Sequence, residues 1–408
     1  MGPRAVRDRA CDRRGDGRDR ADLQRGLRLL SNDGIWITEV DAPADGIRLA
    51  VKDLFDTAGL RTTYGSSIFA DHVPLETAAA VRLLEDAGYA TAGKSNLHEF
   101  AYGVTSMNPH FGWVPNPTAP GRIAGGSSGG SAAALVAGLV DAALGTDSGG
   151  SIRIPAAFCG IVGFKPTHGL VPTDGVWPLA PSYDHAGPLA RTVDECIAMM
   201  RVLAPGFEPQ PPPELDELRV ALAWVEGASE GVRRRVEDAA AHFGHCERIE
   251  FPCPSGHFPV FFREIAQVHE ELFAEHSDEY GADLQWKLRE LCFPVTDAEF
   301  EEAEGIRETF GQTASEAFDG FDLLLTPTQP FVAPTYDEAA NDALRWEITR
   351  LTNPFNALGW PALALPCGPA EHGLPASIQL VAPPGADSLV LAAGRALEAA
   401  LARAEAAS

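Results

Sequence analysis

The chain has 408 residues, 45% hydrophobic and 22% charged, as in an ordinary globular protein with a core of good size. Its formal net charge of −25 argues against nucleic-acid binding by the chain itself, since such binding depends on cationic contacts to phosphates. Seven cysteines, an odd number without a CxxC pair, argue against a disulfide framework or a structural zinc site and point to a cytoplasmic protein.

Residues 1–28 carry nine arginines among five acidic residues and have no apolar stretch of signal-peptide type. They read as a disordered basic extension, and residues 29–408 as one domain. Ile47 to Val51 alternates like a strand with Lys52 at its end, a rigid place for a reactive side chain. Thr77 to Ala87 reads as an amphipathic helix ending at Gly88, and Tyr89 to Gly93 as the next strand. This βαβ rhythm implies parallel strands covered by helices and an α/β fold. Ser131 to Gly138 reads as a helix packed by its alanines. Asp141 to Gly145 reads as a short buried strand that delivers the loop of Ser151. The apolar stretch 132–144 is interrupted by Gly138 and Asp141, and no run reaches membrane-spanning length, so no membrane partner is expected. Ser182 to Leu203 begins as a loop and turns helical at about Thr192. Pro205 to Pro213 holds five prolines and reads as a linker within the domain. A strand (218–224), a helix (229–242) and a strand (247–251) follow, then a mostly helical stretch, 258–318. Leu323 to Leu325, Asn356 to Pro366 and Ala376 to Leu380 read as strands, and Leu389 to Ala402 as a final helix.

The densest chemical signal runs from Gly125 to Pro166, GGSSGGSAAALVAGLVDAALGTDSGGSIRIPAAFCGIVGFKP. Serines stand in two glycine-flanked clusters, Ser127 with Ser128, and Ser151. Glycine pairs let backbone N–H groups converge on one point, so a serine among them has an oxyanion hole beside it. Upstream, in VKDLFDTAG, Lys52 is one of four lysines against 28 arginines. Lysine can act as a base once its pKa falls, and arginine cannot. A Ser–His–Asp arrangement stays open, because its partners can lie far apart in sequence. Gly125 to Gly129 also fits the five-residue GxSxG elbow centred on Ser127, a pattern that explains neither Ser151 nor Lys52.

These motifs resemble the amidase signature family of serine hydrolases, closely from about Gly46 to Leu203 and more weakly from about Phe300 to Leu397. The resemblance implies a mixed, twisted central sheet covered on both faces by helices. It implies a Ser–cisSer–Lys triad of Ser151 as nucleophile, Ser127 as the bridging serine and Lys52 as the base. The activity implied is hydrolysis of a linear carboxamide C–N bond through an acyl-enzyme, without metal or other cofactor. Backbone N–H groups of Ser148, Gly149, Gly150 and Ser151 would hold the oxyanion. Ser128, Asp147 and Arg153 would support the loop, and Lys94 in AGKSN would be structural. Asn108, with Thr105 and Ser106, would line the substrate site.

Within the family, one component of the glutamyl-tRNA amidotransferase, its glutaminase, hydrolyses glutamine for a tRNA-bound partner. Arg307 in EGIRETF falls where that glutaminase has its glutamine-carboxylate arginine. The acid expected to hold the glutamine amino group falls near Thr349, which cannot form that ion pair. This departure favours a free-standing amidase acting on a small amide. The glutamine-hydrolysing component is the alternative, and a catalytically degenerate scaffold a second one. Family members form homodimers with the help of two helices before the lysine strand. The stretch from Leu29 is short for that pair, which leaves homodimerisation open.

Overall fold

In the computed structural model, the described residues are 27–29, 34–41 and 46–407. Residues 1–26 of the basic head lie outside them. Leu27 and Arg28, assigned to that head from composition, belong instead to a short strand, β1 (Leu27–Leu29). It pairs antiparallel with β2 (Trp36–Val40).

Among the described residues, twelve strands form one mixed sheet, flanked by helices. Its middle is built from β3 (Ile47–Lys52), β4 (Tyr89–Ser95), β7 (Ala142–Asp147), β8 (Val162–Lys165), β9 (His185–Ala190), β13 (Ala362–Pro369) and β14 (Pro375–Val381). A two-stranded hairpin, β5 (Met107–Asn108) with β6 (Gly112–Trp113), stands apart. At the far edge lie β12 (Leu323–Pro327), β10 (Arg219–Leu222) and β11 (His245–Arg248), so that the full order is β1-β2-β4-β3-β7-β9-β8-β13-β14-β12-β10-β11. As the βαβ rhythm predicts, β3 runs parallel to both β4 and β7.

Alternation along the central strands sorts side chains between two cores. Leu49, Val51 and Leu144 join the cluster under helices Ala79–Asp86, Val193–Leu203, Glu230–Ala240 and Asp387–Ala407. Ala50, Ala143 and Ala364 point the other way, against helices Gly129–Val136 and Arg153–Cys159. The second face is lined by alanine because the helix Gly129–Val136 approaches it closely. A Cβ on Gly130 would stand 2.3 Å from the carbonyl oxygen of Asn96 and 2.8 Å from that of Ile35. A third cluster lies beyond the sheet, where helix Phe258–His276 and the segment 282–292 pack over Tyr64, Phe100, Tyr102, Leu179 and Tyr183.

Besides β1, three elements depart from the sequence reading. β9 falls in a stretch that reads as loop, yet all six of its residues are buried between β7 and β8. Covered on both faces, it shows no alternation, and Gly187 and Pro188 mask it. In Asn356 to Pro366 the first residues close a short helix, Asn353–Ala357, with Pro354 in its first turn, and the strand starts at Ala362. β11 starts two residues earlier than the expected strand 247–251 and ends before the apolar Ile249 and Phe251 that suggest it. Its own side chains are exposed at the sheet edge, so backbone pairing alone defines it. The proline-rich stretch 205–213 contains no helix or strand.

Gly130→Ala should therefore lower stability by about 1–3 kcal/mol through overpacking against backbone that cannot turn aside. Chemical denaturation measures this, and an unchanged midpoint would refute the close approach.

Candidate active site

β3 and β7 end side by side, so Lys52 and the loop after Asp147 emerge at one edge of the sheet. Lys52 is fully buried, with Nζ 2.7 Å from Ser127 Oγ and 2.6 Å from Thr146 Oγ1. Burial lowers its pKa to about 7, against the opposing charges of Asp147 and Asp184. A large share of this amine is thus unprotonated at neutral pH.

Lys94 and Lys165 are equally buried, so the rarity of lysine marks burial rather than one particular role. Geometry separates them. Lys94 Nζ bonds the Phe55 carbonyl, Thr57 Oγ1 at 3.1 Å and Thr62 Oγ1 at 2.9 Å, and lies 3.7 Å from Asp53. Lys165 bonds the Pro166 and Trp360 carbonyls and lies 3.1 Å from His185 Nε2. Of these three, Lys52 is the one that meets a serine.

The Gly126–Ser127 peptide is cis. The Ser127 carbonyl accepts from Ser106 Oγ at 3.2 Å and from the His98 N–H at 3.3 Å. The next N–H, of Ser128, donates to the Ser151 carbonyl at 3.2 Å, and Ser128 Oγ donates to the Thr146 carbonyl at 3.1 Å. Ser127 is thereby set between Lys52 and the Ser151 loop.

Asp147 holds that loop from beneath. Its carboxylate accepts from the N–H groups of Gly150 at 2.7 Å and Ile152 at 3.2 Å, and from Arg153 Nε at 3.0 Å. Arg153 in turn donates to the Thr352 carbonyl at 3.0 Å, Gln379 Oε1 at 2.7 Å and Asn356 Oδ1 at 2.7 Å. Burial alone would raise the Asp147 carboxyl, but Arg153, Lys165 and Asn356 hold it below the ordinary carboxylate range. Ser151 and Gly149 open into a pocket walled by Tyr102, Phe258, Phe261, Phe262, Trp286 and Trp346. A serine hydroxyl, a buried amine and a largely apolar pocket thus share one site.

Comparison with known proteins decides the family. Residues 33–391 match the amidase family model. The chain belongs to the amidase family. Over 407 residues it is 34% identical to the "A" component of the glutamyl-tRNA(Gln) amidotransferase of Natronomonas pharaonis, covering 88% of this chain and 96% of that one. A crystal structure of an amidase superposes with a TM-score of 0.76 at 36% identity, covering 87% of this chain and 86% of the other. The corresponding component of the Thermotoga maritima glutamyl-tRNA(Gln) amidotransferase gives the same score at 30% identity, covering 88% and 85%.

Within this amidase fold, some expected residues lie elsewhere than the sequence suggests. Asn108 does not line the pocket. Its Nδ2 donates to the carbonyls of Gly65 and Leu97, and its Oδ1 accepts from the N–H groups of His110 and Phe111, so it pins loops together. Arg307 is also outside the pocket lining. It donates to the Ala357 carbonyl at 2.9 Å and to Ser182 Oγ at 2.7 Å, and lies 4.3 Å over the Tyr183 ring. The Gly150 N–H, expected among the oxyanion donors, is engaged by Asp147 instead. Gly150 is needed for shape: its φ is 127°, and a Cβ there would stand 2.2 Å from Thr352 Oγ1. Ser148 Oγ donates to the half-buried Asp184 at 2.6 Å.

Sequence reasoning does not single out Thr146, Asn356 or Gln379. Thr146 lies in GTDSGGS beside the serine motif, and that adjacency is a usable signal. Asn356 and Gln379 come from distant segments and carry no local signal. Among the described residues no group of three or more His, Cys, Asp or Glu is placed to hold a metal ion, and no helix is long and apolar enough to cross a membrane.

If Lys52 must lose its proton to act, kcat/KM for an amide should rise with pH through about 7 and level off above. The protonated amine prevails below that pH and cannot accept a proton. A rate profile flat from about pH 5 to 9 would contradict this.

Proposed function

We propose that this amidase-family chain hydrolyses a carboxamide through a Ser151 acyl-enzyme, with Lys52 as base and Ser127 as relay. The observation that carries the reading is the 2.7 Å contact from the buried Lys52 Nζ to Ser127 Oγ, beside the loop that presents Ser151 to the pocket. Serine is a poor nucleophile until a base takes its proton. Ser151 Oγ attacks the carbonyl carbon as its proton passes to Ser127 Oγ and the Ser127 proton passes to Lys52 Nζ. The carbonyl oxygen becomes an oxyanion facing the N–H groups of Ser148, Gly149 and Ser151. The C–N bond then breaks, and the amine or ammonia leaves with the proton returned through Ser127. Water, deprotonated by the same route, attacks the acyl-enzyme and frees the carboxylate and Ser151.

A second reading, the glutamine-hydrolysing component of a tRNA-dependent amidotransferase, is favoured by the names of the relatives more than the free-standing reading is. It would bring charged tRNA and a partner chain. Features of the pocket weigh the other way. Arg307 is engaged outside it, and Thr349, with no Asp or Glu among the described lining residues, stands where the glutamine α-ammonium would need an anion. Residues 205–213 and the rest of the described chain after them serve a single catalytic unit in either reading.

Ser151→Ala should abolish hydrolysis and labelling by a fluorophosphonate, whereas Ser127→Ala should keep a slowly labelled Ser151. Lys52→Ala should lower kcat by about 10²–10⁴-fold, and Lys52→Arg should not restore it. Labelling retained in Ser151→Ala but lost in Ser127→Ala would place the nucleophile at Ser127 and defeat the reading. Ammonia release from simple amides by the isolated chain separates the free-standing amidase from a glutaminase that needs its partner chain and charged tRNA.

A further inference from the structure

One buried hydroxyl that touches the Ser151 loop has no part in the mechanism above. Thr352 is fully buried and precedes the helix Asn353–Ala357, where a threonine ordinarily turns its oxygen back to cap the helix. It makes no such cap. Pro354, in the first turn, has no N–H to offer, and the Phe355 N–H bonds the Thr352 carbonyl at 3.2 Å. The hydroxyl turns to the loop instead, and Oγ1 donates to the Gly149 carbonyl at 2.7 Å. A hydroxyl has one proton to give. The other acceptor in reach, the Thr349 carbonyl, is farther, at 3.3 Å, and already receives the Thr352 N–H at 3.1 Å.

The Gly149 carbonyl and the Gly150 N–H belong to one peptide plane and point to opposite edges of it. Asp147 holds the N–H at 2.7 Å, so the plane is gripped at both edges. The grip forms a closed circuit. Asp147 accepts from Arg153 Nε, Arg153 Nη1 donates to the Thr352 carbonyl at 3.0 Å, and Thr352 Oγ1 returns to the plane. Free of it, the plane would turn easily, because glycine stands on both sides. Gly149 and Ser151 are in the pocket lining and Thr352 is outside it, so the bond to Thr352 directs the Gly149 carbonyl away from the pocket. A half-turn of the plane would aim that oxygen, with its partial negative charge, toward the side where an oxyanion must form. A contact made only to join the two segments would be redundant, since Arg153 and Asp147 already join them through Thr352 and Asn356.

We infer that Thr352 is a positioning residue whose hydroxyl latches the Gly149–Gly150 peptide in the orientation that keeps the Gly149 carbonyl off the oxyanion and leaves the flanking N–H groups of Gly149 and Ser151 to receive it. This rests on the reading of Ser151 as the nucleophile. Thr352 acts through the peptide and is not itself catalytic.

Thr352→Val keeps the shape and deletes the donor, whereas Thr352→Ser keeps the donor. In Thr352→Val, kcat for an amide and the rate constant for fluorophosphonate labelling of Ser151 should both fall by about tenfold to a hundredfold, with little change in KM. A rate constant, unlike an amplitude, is not altered by an unfolded fraction. Thr352→Ser should recover most of the loss, and the pH of half-maximal rate should stay in place, because Lys52 is untouched. A second readout needs no chemistry at Ser151. In chain carrying isotope-labelled glycine, the Gly150 amide should exchange with deuterium about tenfold faster in Thr352→Val than in the unsubstituted chain, and Thr352→Ser should slow it again. An unchanged labelling rate in Thr352→Val, an equal loss in Thr352→Ser, or unmoved Gly150 exchange would overturn the inference and leave the hydrolytic reading intact. An unsubstituted chain whose Ser151 is never labelled would defeat the hydrolytic reading instead, and Gly150 exchange would still decide whether the latch exists.

Discussion

The site depends on one amine losing its water. Lys52 ends a central strand, fully buried, between two hydroxyls and, among the described residues, with no carboxylate in contact; Asp147 and Asp184 act on it through their charge. An ammonium in such a place is costly, and the cost is relieved by giving up the proton. Lys94 shows the contrast. It is as buried, but it has a carboxylate 3.7 Å away and three oxygen acceptors, the setting of a structural cation. Its pKa accordingly falls less far, to about 8. What sets Lys52 apart is therefore the poverty of its surroundings together with the serine placed against it.

A neutral amine is useful only if the serines are held still, and that task falls to the buried ion pair of Asp147 and Arg153. Removing one partner of such a pair leaves an uncompensated charge, so it is a poor source of net stability but a strong constraint on geometry. Here the remaining polar atoms are put to use. The Asp147 carboxylate fixes loop N–H groups, and Arg153 ties the loop to Thr352, Asn356 and Gln379 from the C-terminal third of the chain. The central sheet, with strands from both halves, is what brings these distant segments under one loop.

The pattern of the fold is readable where an apolar run is bounded by turn residues, as in β3, the helix after it, β4 and β7, even though β3 and β7 meet a core on each face. It is unreadable in β9, where Gly187 and Pro188 interrupt the run, and in β11, whose side chains are exposed. Within the site, the glycine-flanked serines and Lys52 are legible because reactive chemistry restricts residue type locally. Asn108 and Arg307 mislead for a common reason: their neighbours in sequence resemble site-lining segments, while their polar atoms are consumed by backbone groups far along the chain.

The low lysine content makes the central claim directly measurable. With four lysines in the whole chain, isotope-labelled side-chain amines can be followed individually by NMR across a pH titration, and Lys52→Ala identifies the resonance. The account predicts that the Lys52 amine titrates at about 7. A Lys52 amine that remains protonated up to the ordinary lysine range of about 10.4 would contradict the account, because no base would then be available to Ser127 at neutral pH.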